Sequence, residues 1–456
     1  MLPDSSIPDP AYHDALRWLY GLSPNVRTAA QIVANRPRKL DRMRALLDRV
    51  DRPDRALASV LVAGTKGKGS IAAHSESILR AAGLRTGLIT SPHLVSWCER
   101  TRVDGRDVEP GTAVRLLPTV RAAVERLADE EPDVGHVTTF EAGLAFSLLA
   151  FAEAGIEIAV VECGVGGIHD ATNVLEPLAV VLGPISYDHT ATLGPTLTDI
   201  AGEKAGIFRP GRLAVSAPQP PEARAVVERA ARERGARLEW CGEDWQWQPD
   251  DESCTGRFMI RGIRGELDGL STPLLGRHQR ENATAAVALT TGVLADLRPD
   301  DPPDAAVRAG LAAVRWPGRL QVLRERPYLV VDGAHNGDSA ARLVEALGEC
   351  FEAERRHLVF GTSVGKDVAR MLDALLPATS TVTLTRSHHE RSVPLDQLGL
   401  AFEARGVAAS IVPEVREAIG HALAQTEPGD LVIVTGSLFV VGEALEAFDR
   451  DPEGAP

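Results

Sequence analysis

Val60-Leu-Val-Ala-Gly-Thr-Lys-Gly-Lys-Gly-Ser70 is the most informative run of this sequence for predicting its fold. It continues a short apolar segment, residues 57–63, which is typical of a buried parallel strand. Three glycines follow within six residues, and residues 71–82 then predict a helix that ends at Gly83. A strand, a glycine-rich turn and a helix form an architecture that binds phosphate, because backbone N–H groups at the helix N-terminus can close around an anion.

The run nearly matches the phosphate-loop pattern G-x-x-x-x-G-K-[ST], in which the lysine reaches the β- and γ-phosphates and the hydroxyl binds Mg²⁺. Here Gly69 stands between Lys68 and Ser70, so the hydroxyl comes one residue late. A glycine-rich turn without a ligand is the alternative interpretation. The strand-to-helix context that the pattern requires is present, however, so we predict a nucleotide site.

Length and composition predict a globular protein of two domains, since 456 residues exceed one ordinary domain. Hydrophobic residues make up 44% of the chain and charged residues 25%, as in globular proteins. The net charge of −14 argues against nucleic acid and anionic membranes as partners, and a polyanionic substrate would need a local basic pocket. No apolar run is long enough to span a bilayer.

The cysteines and the N-terminus predict a cytoplasmic protein. The first residues lack the basic and apolar regions of a signal peptide. The five cysteines are odd in number and form no C-x-x-C motif, so we expect reduced thiols rather than disulfides. They are Cys98, Cys163, Cys241, Cys254 and Cys350.

Polar residues recur where predicted strands end. Glu162 follows the apolar residues 156–161, and a carboxylate there is costly in a core but well placed to bind a metal ion. Asp188 and His189 follow the next strand, and Lys204 lies fifteen residues beyond His189. Each residue alone is a weak signal, but their recurrence predicts a common site.

Three other polar residues have ordinary structural interpretations. Ser91 and His93 follow a predicted strand at residues 86–90, where open α/β sheets bind ligands, although such residues are more often part of a turn. Glu141 lies three residues after Thr138, so it is either a capping residue in the first turn of a helix or a site residue. The sequence leaves these alternatives open.

Arg315-Trp-Pro-Gly-Arg-Leu320 is the predicted joint between the two domains. Beyond it, strands near 328–332, 357–361, 381–385, 409–412 and 431–435 alternate with helices, which predicts a parallel, Rossmann-like sheet. No G-x-G-x-x-G motif is present, so a nicotinamide dehydrogenase is not expected.

The predicted fold class is therefore α/β with two sheet domains. Residues 1–318 form an ATP-binding domain with a mostly parallel central sheet that contains the phosphate loop, and residues 1–50 are its helical preamble. Residues 319–456 form a smaller Rossmann-like domain.

These motifs, in this order, resemble the Mur ligase superfamily and, within it, the family of folylpolyglutamate synthase and dihydrofolate synthase. The resemblance extends from about Leu16 to Ala447. The glycine between Lys68 and Ser70 resembles the folate branch rather than the cell-wall ligases. The matching runs are Gly64–Ser70, Thr90–Leu94, Asp170–Asn173, Asp188-His189 with Leu193-Gly194, Glu203–Ile207, His278-Gln279, Asn282, Trp316–Arg319, Asp332–Asn336 and Val434–Leu438.

The resemblance implies an ATP-dependent ligase that joins L-glutamate to the γ-carboxyl of a folate or, in bifunctional members, to dihydropteroate. An acyl phosphate forms first, and ADP and phosphate are released. Such phosphoryl transfer depends on positioning and charge neutralisation, here by ATP-bound Mg²⁺ and Lys68. The resemblance also implies a monomer.

The resemblance assigns roles to residues at matching positions. The nucleotide contacts are Gly64, Thr65, Lys66, Gly67, Lys68, Gly69, Ser70, Asn282, Arg319 and Asp332. The Mg²⁺ ligands are Ser70, Glu162, His189 and Lys204, the last as a carbamate. The catalytic set is Lys68, Lys204, Arg319 and His335. The substrate contacts are His335 and Ser437 for glutamate, and Ser91, His93 and Asp170 in the loops on the folate side.

Three departures from the family pattern bear on the substrate. The family often has a basic residue at the position of Ile168, so a cation for a negatively charged acceptor is missing. Lys66 replaces an asparagine that is usual in many bacterial members, although lysine also occurs in the family. The segment 386–392 carries two histidines where the family varies, and we interpret it as a surface loop, with a substrate contact as the alternative.

Two other functions are compatible with the sequence. One is a Mur-type amide ligase that acts on a different acid, for which Ile168 is the main argument. The other is a nucleotide-binding protein without catalysis, although such a protein would have no need of a second metal site. The sequence does not decide between single and dual acceptors, the number of glutamates added or the state of Lys204.

Overall fold

An eight-stranded sheet carries the phosphate loop in the first part of the protein. The computed structural model describes residues 7–23, 38–250, 254 and 256–450. The sheet order is β4-β3-β2-β5-β1-β6-β7-β8, parallel throughout except for β3 and β4 at one edge. The strands are β1 (Ala58–Ala63), β2 (Thr86–Ile89), β3 (Thr101–Val103), β4 (Arg106–Asp107), β5 (Ile158–Glu162), β6 (Ala179–Leu182), β7 (Leu213–Ser216) and β8 (Arg237–Trp240).

Helices cover both faces of this sheet, because its central strands are apolar on both sides. α1 and α2 belong to the predicted helical preamble, and the residues between them, 24–37, lie outside the described ranges. α4 contains Pro118 and is one continuous helix. The helices are α1 (Pro10–Gly21), α2 (Lys39–Asp48), α3 (Lys68–Ala81), α4 (Pro110–Glu130), α5 (Thr139–Ala154), α6 (Thr190–Leu193), α7 (Leu197–Ala205), α8 (Pro221–Arg234), α9 (Arg277–Leu297) and α10 (Asp304–Ala313).

A small antiparallel sheet packs beside α9. It consists of β9 (Trp245–Pro249), β10 (Phe258–Gly262) and β11 (Gly265–Leu270), which form an insertion between β8 and α9. Its buried side chains Trp245, Phe258 and Ile260 join the same core cluster as α3 and α9. The insertion therefore belongs to the first domain.

A second sheet of six strands follows the joint, in the order β12-β13-β17-β14-β15-β16. The five predicted strands are all present and parallel, whereas β12 was not predicted and pairs antiparallel with β13. The predicted α/β fold class is confirmed; the boundary between residues 318 and 319 stays a prediction. The strands are β12 (Gln321–Glu325), β13 (Tyr328–Val331), β14 (Arg356–Phe360), β15 (Thr381–Leu384), β16 (Ser410–Ile411) and β17 (Leu431–Thr435), and the helices are α11 (Gly337–Cys350), α12 (Val368–Leu375), α13 (Leu395–Glu403), α14 (Val415–Leu423) and α15 (Leu438–Arg450).

Within the described ranges, none of the helices combines the length and the hydropathy that crossing a membrane requires.

The cysteines depart from the expectation of five free thiols. Cys254 and Cys350 form a disulfide, with Cα atoms 5.1 Å apart, between the β9–β10 connection and the end of α11. The expectation is wrong for this pair. The two cysteines are 96 residues apart in the sequence, and only the fold brings them together. Cys98, Cys163 and Cys241 are buried and form no disulfide, as expected.

Glu141 caps α5 and also forms a buried ion pair. Its carboxylate accepts a hydrogen bond from the Thr138 backbone N–H at 2.8 Å, which completes a capping box. The Arg42 guanidinium donates to the same carboxylate at 2.8 Å and to the Val134 carbonyl at 3.1 Å. The Arg42 and Glu141 side chains are 2% and 0% exposed, so the capping interpretation is confirmed and the pair fastens α2 to α5.

We expect Arg42→Met to lower the free energy of unfolding by about 3–5 kcal/mol, because the Glu141 carboxylate would stay buried without its cation. Urea unfolding measures this change. Arg44→Met is the matched control, since the Arg44–Asp41 pair is 51% and 70% exposed and should contribute under about 1 kcal/mol. Equal losses in the two variants would contradict a special role for the buried pair.

Candidate active site

The phosphate loop is shaped by close contacts that exclude side chains. Gly67 precedes α3 with φ 75°, and a Cβ atom there would lie 2.4 Å from the Asn282 side-chain oxygen. A Cβ atom at Gly69 would lie 2.7 Å from the Trp316 ring of the joint. The inserted glycine thus permits the joint to pack directly on the first turn of α3, and Asn282 lies against the loop as its predicted nucleotide role requires.

The phosphate loop leads into the first turn of α3, whose backbone N–H groups can bind a ligand. The backbone N–H groups of Thr65 and Lys66 both donate to the Pro184 carbonyl, at 3.0 and 3.2 Å, and hold the loop against the end of β6. α3 begins at Lys68, so the N–H groups of its first turn have no partner within the helix. Ser70 is buried in that turn. This arrangement can bind a phosphate group.

Lys68 and Glu162 meet at the mouth of the loop. The Lys68 Nζ atom lies 3.9 Å from Glu162 Oε1, and Glu162 Oε2 accepts a 3.0 Å hydrogen bond from the Ser91 backbone N–H. Glu162 is the last residue of β5, and burial raises its pKa, an effect that the charge of Lys68 opposes. Ser91 therefore reaches this site through its backbone, and one carboxylate oxygen faces the lysine.

Lys204 lies behind the loop at the end of α7. Its side chain is 5% exposed, and its Nζ atom donates to the Gly64 carbonyl at 2.7 Å. Burial, together with the charge of Lys68, lowers the pKa of Lys204 to about 7. A buried amine that is only partly protonated near neutral pH is suited to chemistry that an ordinary surface lysine does not perform.

Asp188 and His189 form the side of the site next to β6. His189 has a left-handed backbone with φ 50°, and its N–H donates to Asp188 Oδ1 at 2.9 Å. The His189 ring is half exposed, and burial lowers its pKa. Burial also lowers the pKa of Lys66 to about 8, although Asp188 opposes this shift. The turn directs an imidazole and a carboxylate toward the basic loop.

The second domain contributes residues from the ends of β13 and β17. Asp332 accepts 2.8 Å hydrogen bonds from the N–H groups of Leu320 and Ala334, and burial raises its pKa while Arg319 opposes that shift. His335 Nδ1 donates to the Gly333 carbonyl at 2.8 Å, so its Nε2 atom is the acceptor of a neutral ring. Burial, with Lys366 nearby, lowers the pKa of His335 to about 4.

Ser437 lies in the same part of the second domain. It is buried after β17, and its hydroxyl oxygen lies 3.3 Å from that of Ser363. The predicted glutamate residues therefore lie at the same end of the second sheet.

The loops predicted to contact folate are held by internal contacts. His93 is 7% exposed, and its Nδ1 atom accepts a 2.8 Å hydrogen bond from Arg100 Nε. Asp170 is fully buried and accepts hydrogen bonds from the N–H groups of Val165 and Thr172 at 3.0 Å. Burial, aided by Arg100, holds the pKa of His93 well below its usual range. Both residues shape the loops in this structure.

The segment 386–392 is anchored to the second domain. His388 donates its backbone N–H to Glu443 at 2.7 Å, and its ring is 63% exposed beside Glu414. The His389 ring stacks on Phe439 with centroids 3.8 Å apart. These contacts fit the interpretation as a surface loop.

Sequence reasoning missed two lysines, Lys39 and Lys366. The charge of Lys366, in the loop after β14, acts on Asp188 and His335. Lys39 forms an ion pair with Asp170. The available signal was the rarity of lysine, since only five of the 49 basic residues are lysines.

A small open pocket, with a cavity volume of about 20 Å³, lies where the domains meet. Pro92 and Arg102 line it from the first domain, and Trp316, Arg319 and Leu438 line it from the joint and the second domain. The Arg102 guanidinium lies 5.1 Å from the Trp316 ring centroid. The pocket is thus bounded by the joint itself.

The donor set fits a magnesium ion that binds together with a phosphate group. The described residues hold no group of three or more histidine, cysteine or acidic side chains placed for a metal ion. Mg²⁺ commonly uses one or two protein oxygens and completes its coordination with phosphate and water. Ser70 and the open oxygen of Glu162 meet that requirement.

Comparison with known proteins matches both parts of the chain to one family. Residues 62–290 match the Mur ligase middle domain, and residues 318–438 match the Mur ligase, glutamate ligase domain. A Mycobacterium tuberculosis protein named dihydrofolate synthase/folylpolyglutamate synthase is 32% identical over 91% of this chain and 91% of its own length. The solved M. tuberculosis folylpolyglutamate synthase complexed with ADP has a TM-score of 0.86 and 31% identity, and the match covers 97% of this chain and 99% of that one.

A Haloferax volcanii protein named probable bifunctional folylpolyglutamate synthase/dihydropteroate synthase is 34% identical over 96% of this chain. This chain spans only 51% of that protein's length. The chain therefore belongs to the folylpolyglutamate synthase/dihydrofolate synthase family of Mur ligases.

Proposed function

We propose that the protein is an ADP-forming ligase that joins L-glutamate to the γ-carboxyl of a folate, and to dihydropteroate if it is bifunctional. The observation that carries this proposal is the set of groups that meet where the domains join. Lys68, Lys204 and Glu162 lie at the phosphate loop, and Arg319 and His335 lie on the second domain. A protein that only bound a nucleotide would not need Arg319 and His335 of the second domain.

In the first step, an oxygen of the acceptor carboxylate attacks the γ-phosphorus of ATP, and the bond to the ADP oxygen breaks. Lys68 lies where its ammonium can neutralise the phosphate oxygens, and the first turn of α3 supplies backbone donors. Arg319 approaches from the joint and is suited to hold the transferring phosphoryl group.

In the second step, the amine of L-glutamate attacks the acyl carbon, and phosphate leaves. The ammonium of glutamate must first lose a proton. The neutral His335 ring presents Nε2 as an acceptor, and Ser437 supplies a hydroxyl in the same region. These groups can orient the amine toward the acyl phosphate.

Ser70 and Glu162 would hold Mg²⁺ with the nucleotide, and His189 together with a carbamate on Lys204 would hold a second ion. Bound Mg²⁺ neutralises the charge that develops on the phosphate oxygens. The nucleotide contacts proposed from the sequence fit the loop geometry, in which Asn282 touches Gly67. The cytoplasmic location and the monomeric state stay predictions.

A ligase for a different acid is the second candidate. Ile168 supports it. This residue lies in the loop of residues 166–173, which we call the acceptor loop; its side chain carries no charge and packs against Gly206, the residue after α7. A positive charge that binds the negatively charged acceptor must therefore come from another residue, or the acceptor does not require one.

The test is phosphate release from ATP with Mg²⁺ and L-glutamate in the presence of dihydropteroate, tetrahydrofolate or no acceptor. Release with both acceptors would indicate a bifunctional enzyme, and release with tetrahydrofolate alone would indicate a folylpolyglutamate synthase. If the protein binds ATP but releases no phosphate with either acceptor, the proposal is wrong and a panel of other acids is the next measurement.

A further inference from the structure

Lysine is rare in this chain and is concentrated at the site. Of 49 basic residues only five are lysines, and the others are arginines. The charges of four of the five interact with one another or with the carboxylate of Asp188. An ammonium is a compact charge on a flexible stem, whereas arginine serves for fixed, planar contacts, so lysine here marks positions that need a mobile charge. The five are Lys39, Lys66, Lys68, Lys204 and Lys366.

The fifth lysine, Lys39, reaches the acceptor loop from the start of α2. Its Nζ atom lies 3.8 Å from Asp170 Oδ2 and 5.6 Å from the centroid of the Phe140 ring. The side chain is 21% exposed, so it is partly open to a ligand. Lys39 thus connects a buried carboxylate and an aromatic face.

Asp170 does not require Lys39 to satisfy its carboxylate. Two backbone N–H groups and the Thr172 hydroxyl already donate to it, the hydroxyl at 2.6 Å. The separation of 3.8 Å between Lys39 and Asp170 exceeds the length of a direct hydrogen bond. The ammonium is therefore held in place by charge while its donors remain available to a ligand.

The acceptor loop itself does not supply this charge. Ile168 is apolar and packs on Gly206, and the His169 ring lies 3.3 Å from Glu203 Oε1. Lys39 enters the loop from a different helix and provides an ammonium close to the position where the family often has a basic residue.

The groups that Lys39 contacts pack against the segment that follows Glu162. Gly164 lies two residues after Glu162, and a Cβ atom at Gly164 would lie 3.1 Å from the Phe140 ring and 3.2 Å from Asp170 Oδ2. Phe140 and Asp170, the two groups beside Lys39, are therefore separated by two residues of backbone from the carboxylate that faces Lys68. In a glutamyl group, the α-carboxylate is separated from the reacting γ-carboxylate by only a few bonds.

We propose that Lys39 binds the α-carboxylate of the terminal glutamyl group of the acceptor. This proposal rests on the proposed ligase function and adds a residue that sets acceptor preference. An acceptor with a glutamyl group has a second carboxylate for Lys39, whereas a pteroate has only the carboxylate that reacts. Lys39 consequently favours the addition of glutamate to an existing glutamyl group.

The test compares tetrahydrofolate with tetrahydropteroate, which differ only in the glutamyl group. Equilibrium binding is measured with a non-hydrolysable ATP analogue and Mg²⁺ present. For Lys39→Met we expect the Kd of tetrahydrofolate to rise about 10- to 100-fold, as expected for loss of one hydrogen bond between charged groups. The Kd of tetrahydropteroate should change less than about twofold, and Lys39→Arg should restore much of the tetrahydrofolate affinity.

Arg38→Met is the matched control, because it removes the neighbouring cation, whose guanidinium donates to the Asp133 carbonyl. It should leave both Kd values unchanged, and thermal unfolding verifies that each variant is folded. An equal loss for both ligands, or no loss for either, would overturn the role of Lys39. If the unaltered protein bound neither ligand, the proposed function itself would be wrong.

Discussion

Lys204→Ala is expected to abolish ligation, with a loss of at least about 10³-fold in kcat, at the upper end for a single electrostatic group in an active site. Lys204 is buried beside the phosphate loop, and its amine donates to the Gly64 carbonyl. A bare ammonium next to a divalent cation would be repelled, whereas a carbamate formed from the neutral amine and CO₂ would attract it. Removal of the amine removes this carboxylate.

The fold should survive the change. An unpaired Gly64 carbonyl would cost about 1–3 kcal/mol, which is less than the stability of a typical domain. Phosphate release gives the activity, and thermal unfolding gives the stability.

Lys204→Arg distinguishes a role for the positive charge of this residue from a role for its carbamate. Arginine keeps a positive charge but does not form a carbamate under these conditions, so we expect this variant to be inactive as well. Carbon-13 NMR with labelled bicarbonate should show a carbamate signal in the unaltered protein that is missing in both variants. Normal turnover by Lys204→Arg would show that the charge alone is sufficient and that the carbamate proposal is wrong.

Lys68→Met is expected to lower kcat by about 10²- to 10³-fold, the loss typical for one donor directed at developing charge. The Lys68 ammonium lies 3.9 Å from Glu162 and is 18% exposed, so it can turn from the carboxylate to the γ-phosphate. Methionine keeps the length of the side chain and removes only the charge. The KM for the acceptor should change less than about twofold, because Lys68 acts on the phosphate.

The kcat and KM for ATP and for the acceptor are measured separately for this variant. Lys68→Arg is the companion, since it keeps the charge and should retain part of the activity. An unchanged kcat in Lys68→Met would mean that the lysine serves the pairing with Glu162 and not phosphoryl transfer.

The sequence predicted much of the fold because its signals are local. The apolar segment before Gly64 and the glycine-rich turn at residues 64–69 give the phosphate loop and the start of α3. From Tyr328 onward strands alternate with helices, and this pattern predicts the five parallel strands of the second sheet. β12 escaped prediction because its five residues are half-exposed and polar at one end, and only pairing with β13 makes them a strand.

The candidate site was predicted as a list of residues at strand ends, without their mutual geometry. That list could not show that Ser91 reaches Glu162 through its backbone, or that the joint packs Trp316 on Gly69. It also missed Lys39, whose partner Asp170 lies 131 positions along the chain.

The α/β class, the phosphate loop and the family follow from the sequence alone, because each depends on short runs of residues whose spacing is fixed by one strand, turn or helix. Which charged side chains lie next to one another follows only from the tertiary structure. Burial of Glu141 with Arg42, the disulfide of Cys254 with Cys350 and the approach of Lys39 to Asp170 all join distant segments. Such contacts follow from the packing of whole elements against one another, which local patterns do not encode.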